Sequence, residues 1–242
     1  MPLGMFAGAS ENITQIIIYI NAVIFLLSLI FSFSSMTLSA DPFRFLSPSD
    51  KGLLFWGATG TIPISVYGHW WTLISASYLH GGLMHIFFNM LALYQLGHFV
   101  AHEFGVNRFV IIYTFTGIVG FFLSYLAGIP LTIGASANIC GFIGAILYYG
   151  KTRGGFYGNA IYKQAMGWVV GLVIFGILIP GINNWAHGGG ILSGILLAHL
   201  LGYNEQRGEA IFHRTLSTGC IILTIGVLFW MIIRAIYVFL LS

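Results

Sequence analysis

Seven apolar stretches, separated by short polar segments, constrain the fold of this 242-residue chain more than any other feature. A bilayer core of about 30 Å is crossed by roughly 20 apolar residues in a helix. A helix also satisfies its own backbone hydrogen bonds in lipid. The pattern therefore predicts an all-α polytopic membrane protein. The predicted spans are residues 13–33, 83–100, 109–126, 136–149, 165–182, 187–202 and 216–241.

The composition excludes several other classes of protein. Apolar residues make up 58% of the chain and charged residues only 6%, whereas an average soluble protein has about 25% charged residues. So few charges cannot cover a water-soluble globule, and they provide no basic stripe for nucleic acid. The lipid bilayer is the expected partner, and nucleic acid is not. The 32 glycines fit helices that pack closely within a membrane.

The spacing of the spans predicts the domain organisation. A short cytoplasmic N-terminus, 1–12, precedes a six-helix core, 13–203. A cytoplasmic loop, 204–215, leads to an additional C-terminal transmembrane helix, 216–242. The first span does not resemble a signal peptide, because its apolar region is too long and no Lys or Arg precedes it.

The distribution of Lys and Arg predicts which ends of the spans face the cytoplasm. With the N-terminus inside and the C-terminus outside, the long outer loop carries only Arg44 and Lys51. Arg234 lies within the last span near its outer end, where its long side chain can reach the interface. The inner loops then carry six cations, which are Arg108, Lys151, Arg153, Lys163, Arg207 and Arg214.

The absence of a transit peptide and of extra soluble domains favours a bacterial plasma membrane.

Polar residues converge where three alternate spans begin. In the predicted orientation the second, fourth and sixth spans all start at the outer face. Polar and proton-active side chains are costly in a bilayer, so their presence there indicates a functional site. The converging residues are His80, His85 and Asn89 at the second span, Ser136 at the fourth and His187 at the sixth.

These residue types fit nucleophilic catalysis by a serine. The hydroxyl of Ser136 needs a base, and the neutral imidazole of His187 is the usual kind. An acidic third member is not expected, because the carboxylates lie in the long outer loop or on the cytoplasmic side. His85, Asn89 and the backbone N–H of Ser136 are candidate donors to an oxyanion. Taken singly, Ser136 also fits a helix cap, and His187 fits a structural histidine.

A metal site is the competing interpretation. His80, His85 and His187 offer three imidazoles, which is a ligand set found at zinc. The His-Glu-x-x-His pattern of zinc proteases does not occur in the sequence, and His98 with His102 fits a solvated helix end. The spans also contain no acidic residue, which argues against a transporter of cations. No metal is therefore predicted.

The motifs around these residues resemble those of the rhomboid family of intramembrane serine proteases. The family has an H-x4-H-x3-N spacing in its second span, G-x-S-G at the start of its fourth and A-H-x-x-G-x3-G in its sixth. The resemblance extends from about residue 13 to residue 203. The matching residues are His80, His85 and Asn89; Gly134, Ala135, Ser136 and Ala137; and Ala186, His187, Gly190 and Gly194.

The resemblance implies a rhomboid-like six-helix bundle followed by the seventh helix of the six-plus-one subtype. It implies that Ser136 is the nucleophile and His187 the general base, and that His85 and Asn89 line the oxyanion hole. It also implies cleavage of transmembrane protein substrates near the outer face, without a cofactor. The supporting residues would be His80, which braces the outer loop, Gly134, and Gly190 and Gly194, which let the sixth helix lie against the fourth.

Four positions depart from the family's pattern. Ala137 stands where the family prefers Gly, and Cys140 stands where many members carry an aromatic ring against the base. Thr72 follows the Trp pair where the family often has Arg, and Ala101 replaces a frequent Glu. We therefore expect an intact pair with altered supporting residues. The alternative function is that of a protease-inactive rhomboid-like protein that binds transmembrane clients.

Overall fold

The computed structural model describes residues 4–31, 37–38 and 45–241 of the chain. These ranges contain two short strands, β1 (Thr37–Leu38) and β2 (Phe45–Ser47), which pair antiparallel. They also contain nine helices, which are α1 (Gly4–Phe31), α2 (Asp50–Phe55), α3 (Thr72–Ser75), α4 (Leu83–Phe104), α5 (Val106–Leu126), α6 (Ser136–Arg153), α7 (Gly155–Leu178), α8 (Asn184–Leu201) and α9 (Ile211–Leu241).

The seven long helices correspond to the seven apolar stretches, and the predicted all-α polytopic fold is confirmed. Among the described residues, five helices are long and apolar enough to cross a membrane. These are α1, α4, α5, α7 and α9. The other two long helices, α6 and α8, have 18 residues each and contain several glycines and polar residues.

Helix α6 forms the centre of the bundle. It packs against α4, α5, α7 and α8, and its buried side chains include Phe142 and Tyr149. Glycines bring the backbones together, since a Cβ on Gly144 would lie 2.2 Å from the carbonyl oxygen of Ile191 in α8. Close packing of this kind holds helices together in a membrane, where lipid is as apolar as the side chains. Helix α7 packs mainly against α6 and leaves most of its surface exposed.

The long helices extend beyond the apolar stretches that predicted them, and the largest extensions are at the starts of three helices. Helix α1 begins at Gly4, α7 begins at Gly155 and α9 begins at Ile211, so the cytoplasmic loop predicted at 204–215 is shorter than expected. A helix can continue into polar residues outside the lipid, because its hydrogen bonds join backbone groups and do not depend on apolar side chains. The break between α6 and α7 falls at Gly154 and Gly155, which both have a φ of +64°, a conformation that glycine adopts without steric cost.

The segment between α1 and α4 contains several short turns. Residues 50–78, called the connecting segment below, comprise α2, a π-helical turn at Ile62–Val66, α3 and a 3₁₀ turn at Ala76–Tyr78. Thr59 forms an isolated β-bridge with Thr132, with N···O distances of 3.1 and 2.7 Å. The bridge ties the connecting segment to the loop ahead of α6. Arg44, which was predicted in the long outer loop, lies outside the described residues.

A buried arginine holds the end of the bundle where α5 begins. Arg108 is fully buried, so this member of the predicted inner basic set does not face a membrane surface. Glu209 caps α5, because its Oε1 accepts hydrogen bonds from the backbone N–H groups of Asn107 (2.9 Å) and Arg108 (3.0 Å). The Arg108 guanidinium donates at 2.8–3.2 Å to oxygens of Phe104, Asn204, Arg207 and Gly208. We call Asn107, Arg108, Asn204 and Glu209 the Arg108 cluster.

Candidate active site

Helices α6 and α8 run parallel and bring a serine and a histidine together at their N-terminal ends. A Cβ on Gly190 would lie 2.2 Å from the carbonyl oxygen of Ala137, and one on Gly194 would lie 2.1 Å from that of Gly141. A side chain at either glycine would therefore push the two backbones apart. With the helices in contact, Ser136 Oγ lies 2.9 Å from His187 Nε2.

Ser136 does not cap α6. The helix begins at Ser136 itself, and the residue in the capping position is Ala135, whose side chain has no oxygen. The capping interpretation of Ser136 is therefore wrong, because the backbone places this residue inside the first turn. Its hydroxyl points to another helix and hydrogen bonds with the histidine ring.

His187 lies in the first turn of α8, which Asn183 caps. The Asn183 side-chain oxygen accepts a hydrogen bond from the Ala186 N–H at 3.1 Å. The second ring nitrogen of His187, Nδ1, is buried and has no hydrogen-bond partner among the described residues. A catalytic triad would place a carboxylate on that nitrogen. The part of the chain that the structure describes therefore offers a two-residue arrangement.

The His85 ring lies beside this pair with a defined tautomer. The Gly81 N–H donates to its Nδ1 at 3.2 Å, so the neutral ring carries its proton on Nε2. A Cβ on Gly134 would lie 2.7 Å from this Nε2, so the N–H group faces the backbone just ahead of Ser136. Gly134 also has a φ of +117°, which other residues rarely adopt.

Asn89 and His80 accompany His85 in different ways. Asn89, one turn further along α4, is 8% exposed and donates from Nδ2 to the His85 carbonyl oxygen at 2.8 Å. His80 is fully buried, and its ring meets the His85 ring edge-on at 5.1 Å between centroids. Within the described ranges neither His80 nitrogen has a hydrogen-bond partner. His80 therefore packs against His85, but its ring makes no hydrogen bond to a described residue that would brace the outer loop.

The methyl group of Ala137 is accommodated beside a glycine. Ala137 is fully buried, and a Cβ on Gly120 of α5 would lie 3.0 Å from the Ala137 Cβ and 2.6 Å from the Ala186 carbonyl oxygen. Gly120 therefore leaves the space that the extra methyl occupies. Cys140, one turn further along α6, is also buried and packs against Gly190.

The other two positions that depart from the family's pattern, 72 and 101, carry small, buried side chains. Thr72 is fully buried, and its Oγ1 lies 3.0 Å from Thr59 Oγ1 and donates to the His69 carbonyl oxygen at 2.6 Å. Ala101 is 3% exposed near the end of α4. Thr72 thus replaces a cation with neutral hydrogen bonds inside the connecting segment.

The described residues contain no group of three or more His, Cys, Asp or Glu side chains placed to hold a metal ion. His98 Nδ1 contacts the Tyr94 carbonyl oxygen, and His102 Nδ1 lies 3.2 Å from Glu103 Oε1. These two histidines are near the far end of α4, away from Ser136. Their contacts are local and fit a solvated helix end.

Thr132 and Asn183 also support the site, although the sequence analysis assigned them no role. The Asn183 amide donates to Thr132 Oγ1 at 2.9 Å and to Ser124 Oγ at 2.6 Å. Thr132 precedes Ser136 in the same loop, so this bond joins the starts of α6 and α8. An asparagine just ahead of an apolar helix is a capping signal in the sequence. The Asn183–Thr132 contact has no comparable local signal.

Comparisons with known proteins agree with this fold. The family model of the rhomboid domain matches residues 67–204. Rhomboid protease GluP of Bacillus subtilis (strain 168) is 32% identical over 164 residues, which are 67% of this chain and 32% of that protein. RHOMBOID-like protein 4 of Arabidopsis thaliana is 31% identical over 158 residues, 64% of this chain and 40% of that protein. The chain belongs to the rhomboid family.

A third relative shows that membership alone does not establish activity. Inactive RHOMBOID-like protein 8 of Arabidopsis thaliana is 32% identical over 177 residues, which are 72% of this chain and 50% of that protein. The chain thus spans only a third to a half of the length of these three relatives.

Proposed function

We propose that this rhomboid-family protein is an intramembrane serine endopeptidase that cleaves transmembrane protein substrates near the outer face of the membrane. The observation that carries the proposal is the 2.9 Å hydrogen bond between Ser136 Oγ and His187 Nε2. A nitrogen at that distance accepts the hydroxyl proton as the oxygen attacks a carbonyl carbon. The Lys and Arg distribution supports a cytoplasmic N-terminus and an external C-terminus.

In the proposed acylation step, Ser136 Oγ attacks the scissile carbonyl and its proton passes to His187 Nε2. The carbonyl oxygen becomes an oxyanion, and the proposed donors to it are the Nε2–H of His85 and the Ser136 backbone N–H. Asn89 lies on the same face of α4 as His85, with one amide hydrogen donated to the His85 carbonyl and a second one left to donate. The intermediate then collapses, and His187 donates its proton to the leaving amine.

In the proposed deacylation step, water attacks the ester carbon of the acyl-enzyme while His187 Nε2 removes a water proton. Collapse of the second tetrahedral intermediate breaks the bond to Ser136 Oγ, which recovers a proton from His187, and releases the carboxylic acid. The reaction consumes one water molecule and returns the protein unchanged. It needs no cofactor, because the charge changes occur at oxygen and imidazole nitrogen.

A substrate helix is proposed to reach the site from the α7 side. Helix α7 has few buried side chains, and a cavity of about 110 Å³ lies between α4, α6 and α7. Side chains from each of these helices line the cavity, including Gln95, Ile146 and Trp168, but none of the lining residues belongs to the site, and Ile146 lies about two to three helical turns beyond Ser136. The support for this route is therefore the exposed surface of α7, which an apolar helix can reach through the lipid.

The first test is covalent labelling of the purified protein with a fluorophosphonate probe, which reacts with activated serines. We expect labelling at Ser136 that is lost in Ser136→Ala and kept in Ser193→Ala. Ser193 is a suitable control, because it is a buried helical serine whose hydroxyl donates to the Gly189 carbonyl oxygen at 2.6 Å. The proposal fails if the wild-type protein is not labelled, or if Ser136→Ala is labelled equally.

Cleavage of a single-span reporter protein is the second test. Wild type is expected to cut the reporter near its outer end, and Ser136→Ala is expected to leave it intact. Addition of a metal chelator is expected to change nothing, since the proposed chemistry uses no metal. Equal cleavage by wild type and Ser136→Ala would overturn the assignment of the nucleophile.

The second candidate is a protease-inactive protein that binds transmembrane clients. It is favoured by the inactive Arabidopsis relative and by the departures at Ala137 and Cys140. This function predicts that a single-span client is retained by the purified protein while the probe labels nothing. Labelling at Ser136 would count against it.

A further inference from the structure

An arginine from the last helix contacts the connecting segment. Arg234 of α9 lies over the Trp71 ring, with its guanidinium carbon 5.6 Å from the ring centroid. Its Nη1 also donates to the Phe55 carbonyl oxygen at 3.4 Å. The side chain, which was expected to reach the interface, thus also contacts two residues of the connecting segment. The guanidinium meets the face of an aromatic ring, which attracts cations.

The Trp71 ring in turn fixes a turn of the connecting segment. A Cβ on Gly57, which has a φ of +93°, would lie 2.6 Å from the Trp71 ring, so the ring packs directly on this turn. The Ser75 hydroxyl donates to the Gly57 carbonyl oxygen at 2.7 Å. Thr72, next to Trp71, is hydrogen bonded to Thr59 at 3.0 Å. A movement of Trp71 would therefore move residues 57–59.

Residues 57–59 connect to both halves of the candidate site. The backbone of Thr59 pairs with that of Thr132, and Thr132 Oγ1 accepts from the Asn183 amide, which caps the helix of His187. The Gly134 N–H, two residues ahead of Ser136, donates to the carbonyl oxygen of Ala76 at 2.8 Å. The N–H groups of Thr61 and Ile62 also donate to the carbonyl oxygens of Ile129 and Pro130. The connecting segment thus holds the loop before α6 at several points, and through that loop it holds the start of α8.

We propose that Arg234 is a positioning residue for the Ser136–His187 pair, acting through Trp71 and the Thr59–Thr132 bridge. The seventh helix would then take part in the reaction without touching substrate. This inference depends on the proposed protease function. It is supported at His69, two residues before Trp71, where burial lowers the pKa of the imidazole and the positive charge of Arg234 lowers it further. The guanidinium charge therefore acts on this segment.

The proposal predicts a specific ranking of variants. Arg234→Gln removes the cation and is expected to slow fluorophosphonate labelling of Ser136 about tenfold, because small displacements of reacting atoms are costly. Reporter kcat is expected to fall while KM stays constant.

Arg234→Lys keeps a cation over the ring and is expected to recover most of the rate. Trp71→Leu is expected to slow the reaction alone and to add little to Arg234→Gln. Arg214→Gln, an exposed cation at the other end of α9, is the control and is expected to match wild type.

The same proteins are examined by hydrogen exchange and thermal unfolding. We expect faster amide exchange in residues 57–61 and 130–134 of Arg234→Gln and unchanged exchange in Arg214→Gln. Labelling and exchange rates equal to wild type in Arg234→Gln would overturn the proposal. So would slower labelling that only follows a loss of folded protein. If wild type itself is not labelled, the protease function fails, and the exchange comparison alone decides whether Arg234 holds the segment.

Discussion

The two ends of the helical bundle are stabilised by different interactions. At the end that holds Ser136 and His187, the site end, helices meet through glycine backbones and neutral hydrogen bonds. At the opposite end, the Arg108 cluster joins α5 to the turn before α9. At that opposite end Arg153 and Glu205 also form a surface ion pair at 2.8 and 2.9 Å.

The two ends therefore contain different kinds of buried group: neutral imidazoles, which can exchange a proton, at the site end, and a permanently charged guanidinium at the opposite end. At the site end, ring nitrogens of His80 and His187 are buried without partners among the described residues. Neutral imidazole tolerates this, whereas a buried guanidinium requires acceptors. Arg108 accordingly donates from its two terminal nitrogens to four acceptor residues, while its Nε has no partner among the described residues. We therefore expect changes at the site end to affect the reaction and changes at the opposite end to affect stability.

The largest expected effect is at the proposed base. His187→Ala removes the acceptor of the Ser136 proton and is expected to lower reporter kcat by at least about a thousandfold. The unfolding temperature is expected to fall only slightly, because the ring loses a single hydrogen bond, to Ser136, and its Nδ1 has no partner to lose. Reporter cleavage and thermal unfolding in the same detergent measure the two effects. A variant with normal cleavage would remove His187 from the mechanism.

Arg108→Met should give the opposite result. The substitution leaves the buried Phe104 carbonyl oxygen and the partly buried carbonyl oxygens of Arg207 and Gly208 without their donor. It is expected to reduce the free energy of unfolding by about 3 kcal/mol. Probe labelling per folded molecule is expected to be unchanged. Lys163→Met, which replaces an exposed cation of α7, is the matched control and should leave stability unchanged. A large loss of labelling in folded Arg108→Met would contradict the separation of the two ends.

His85→Ala tests the oxyanion donor. Loss of the Nε2–H is expected to lower kcat about a hundredfold, the usual cost of one such donor, with little change in KM. The proposed donor is Nε2–H, because Nδ1 accepts from the Gly81 N–H. His85→Gln keeps an N–H donor and is expected to recover part of the rate, provided its amide hydrogen reaches the position of the lost Nε2–H. Equal loss of kcat and of folded protein would indicate a structural role instead.

The pH dependence of cleavage sharpens the comparison further. Only neutral imidazole accepts a proton, so kcat is expected to rise about tenfold per pH unit at acid pH and then to level off. Thermal unfolding followed over the same range identifies any part of the change that comes from loss of fold. A rate that stays constant from acid to neutral pH would argue against an imidazole base.

The smallest expected effect is at the surface pair. The Arg153 guanidinium lowers the pKa of the Glu205 carboxyl through a direct hydrogen bond. A depressed carboxyl pKa stabilises the fold above the unfolded-state value, and this contribution is lost as the pH falls through the folded-state value. Glu205→Gln is therefore expected to remove a small, salt-sensitive contribution at neutral pH and to change nothing at low pH. Unfolding temperatures of the two proteins across pH provide the measurement.

The positions of the helices were predictable from the sequence, and their ends were not. Apolar stretches identify the lipid-facing part of each helix, whereas α7 and α9 continue through polar residues. The order and spacing of the motifs also identified Ser136, His187 and His85 as candidates. The roles of Thr132, Asn183 and Gly120 were not predicted, because each depends on a contact with a residue far along the chain.

The local sequence of this chain specifies seven helices that favour lipid, since the transfer of apolar residues from water depends on each segment alone. It also places His85, Ser136 and His187 near the starts of three of those helices. The arrangement of the site depends on tertiary contacts: the parallel approach of α6 and α8, the proton on His85 Nε2 and the contact of Arg234 with Trp71. These features arise because close packing in a membrane matches surfaces that are distant in sequence, and no local pattern encodes such a match.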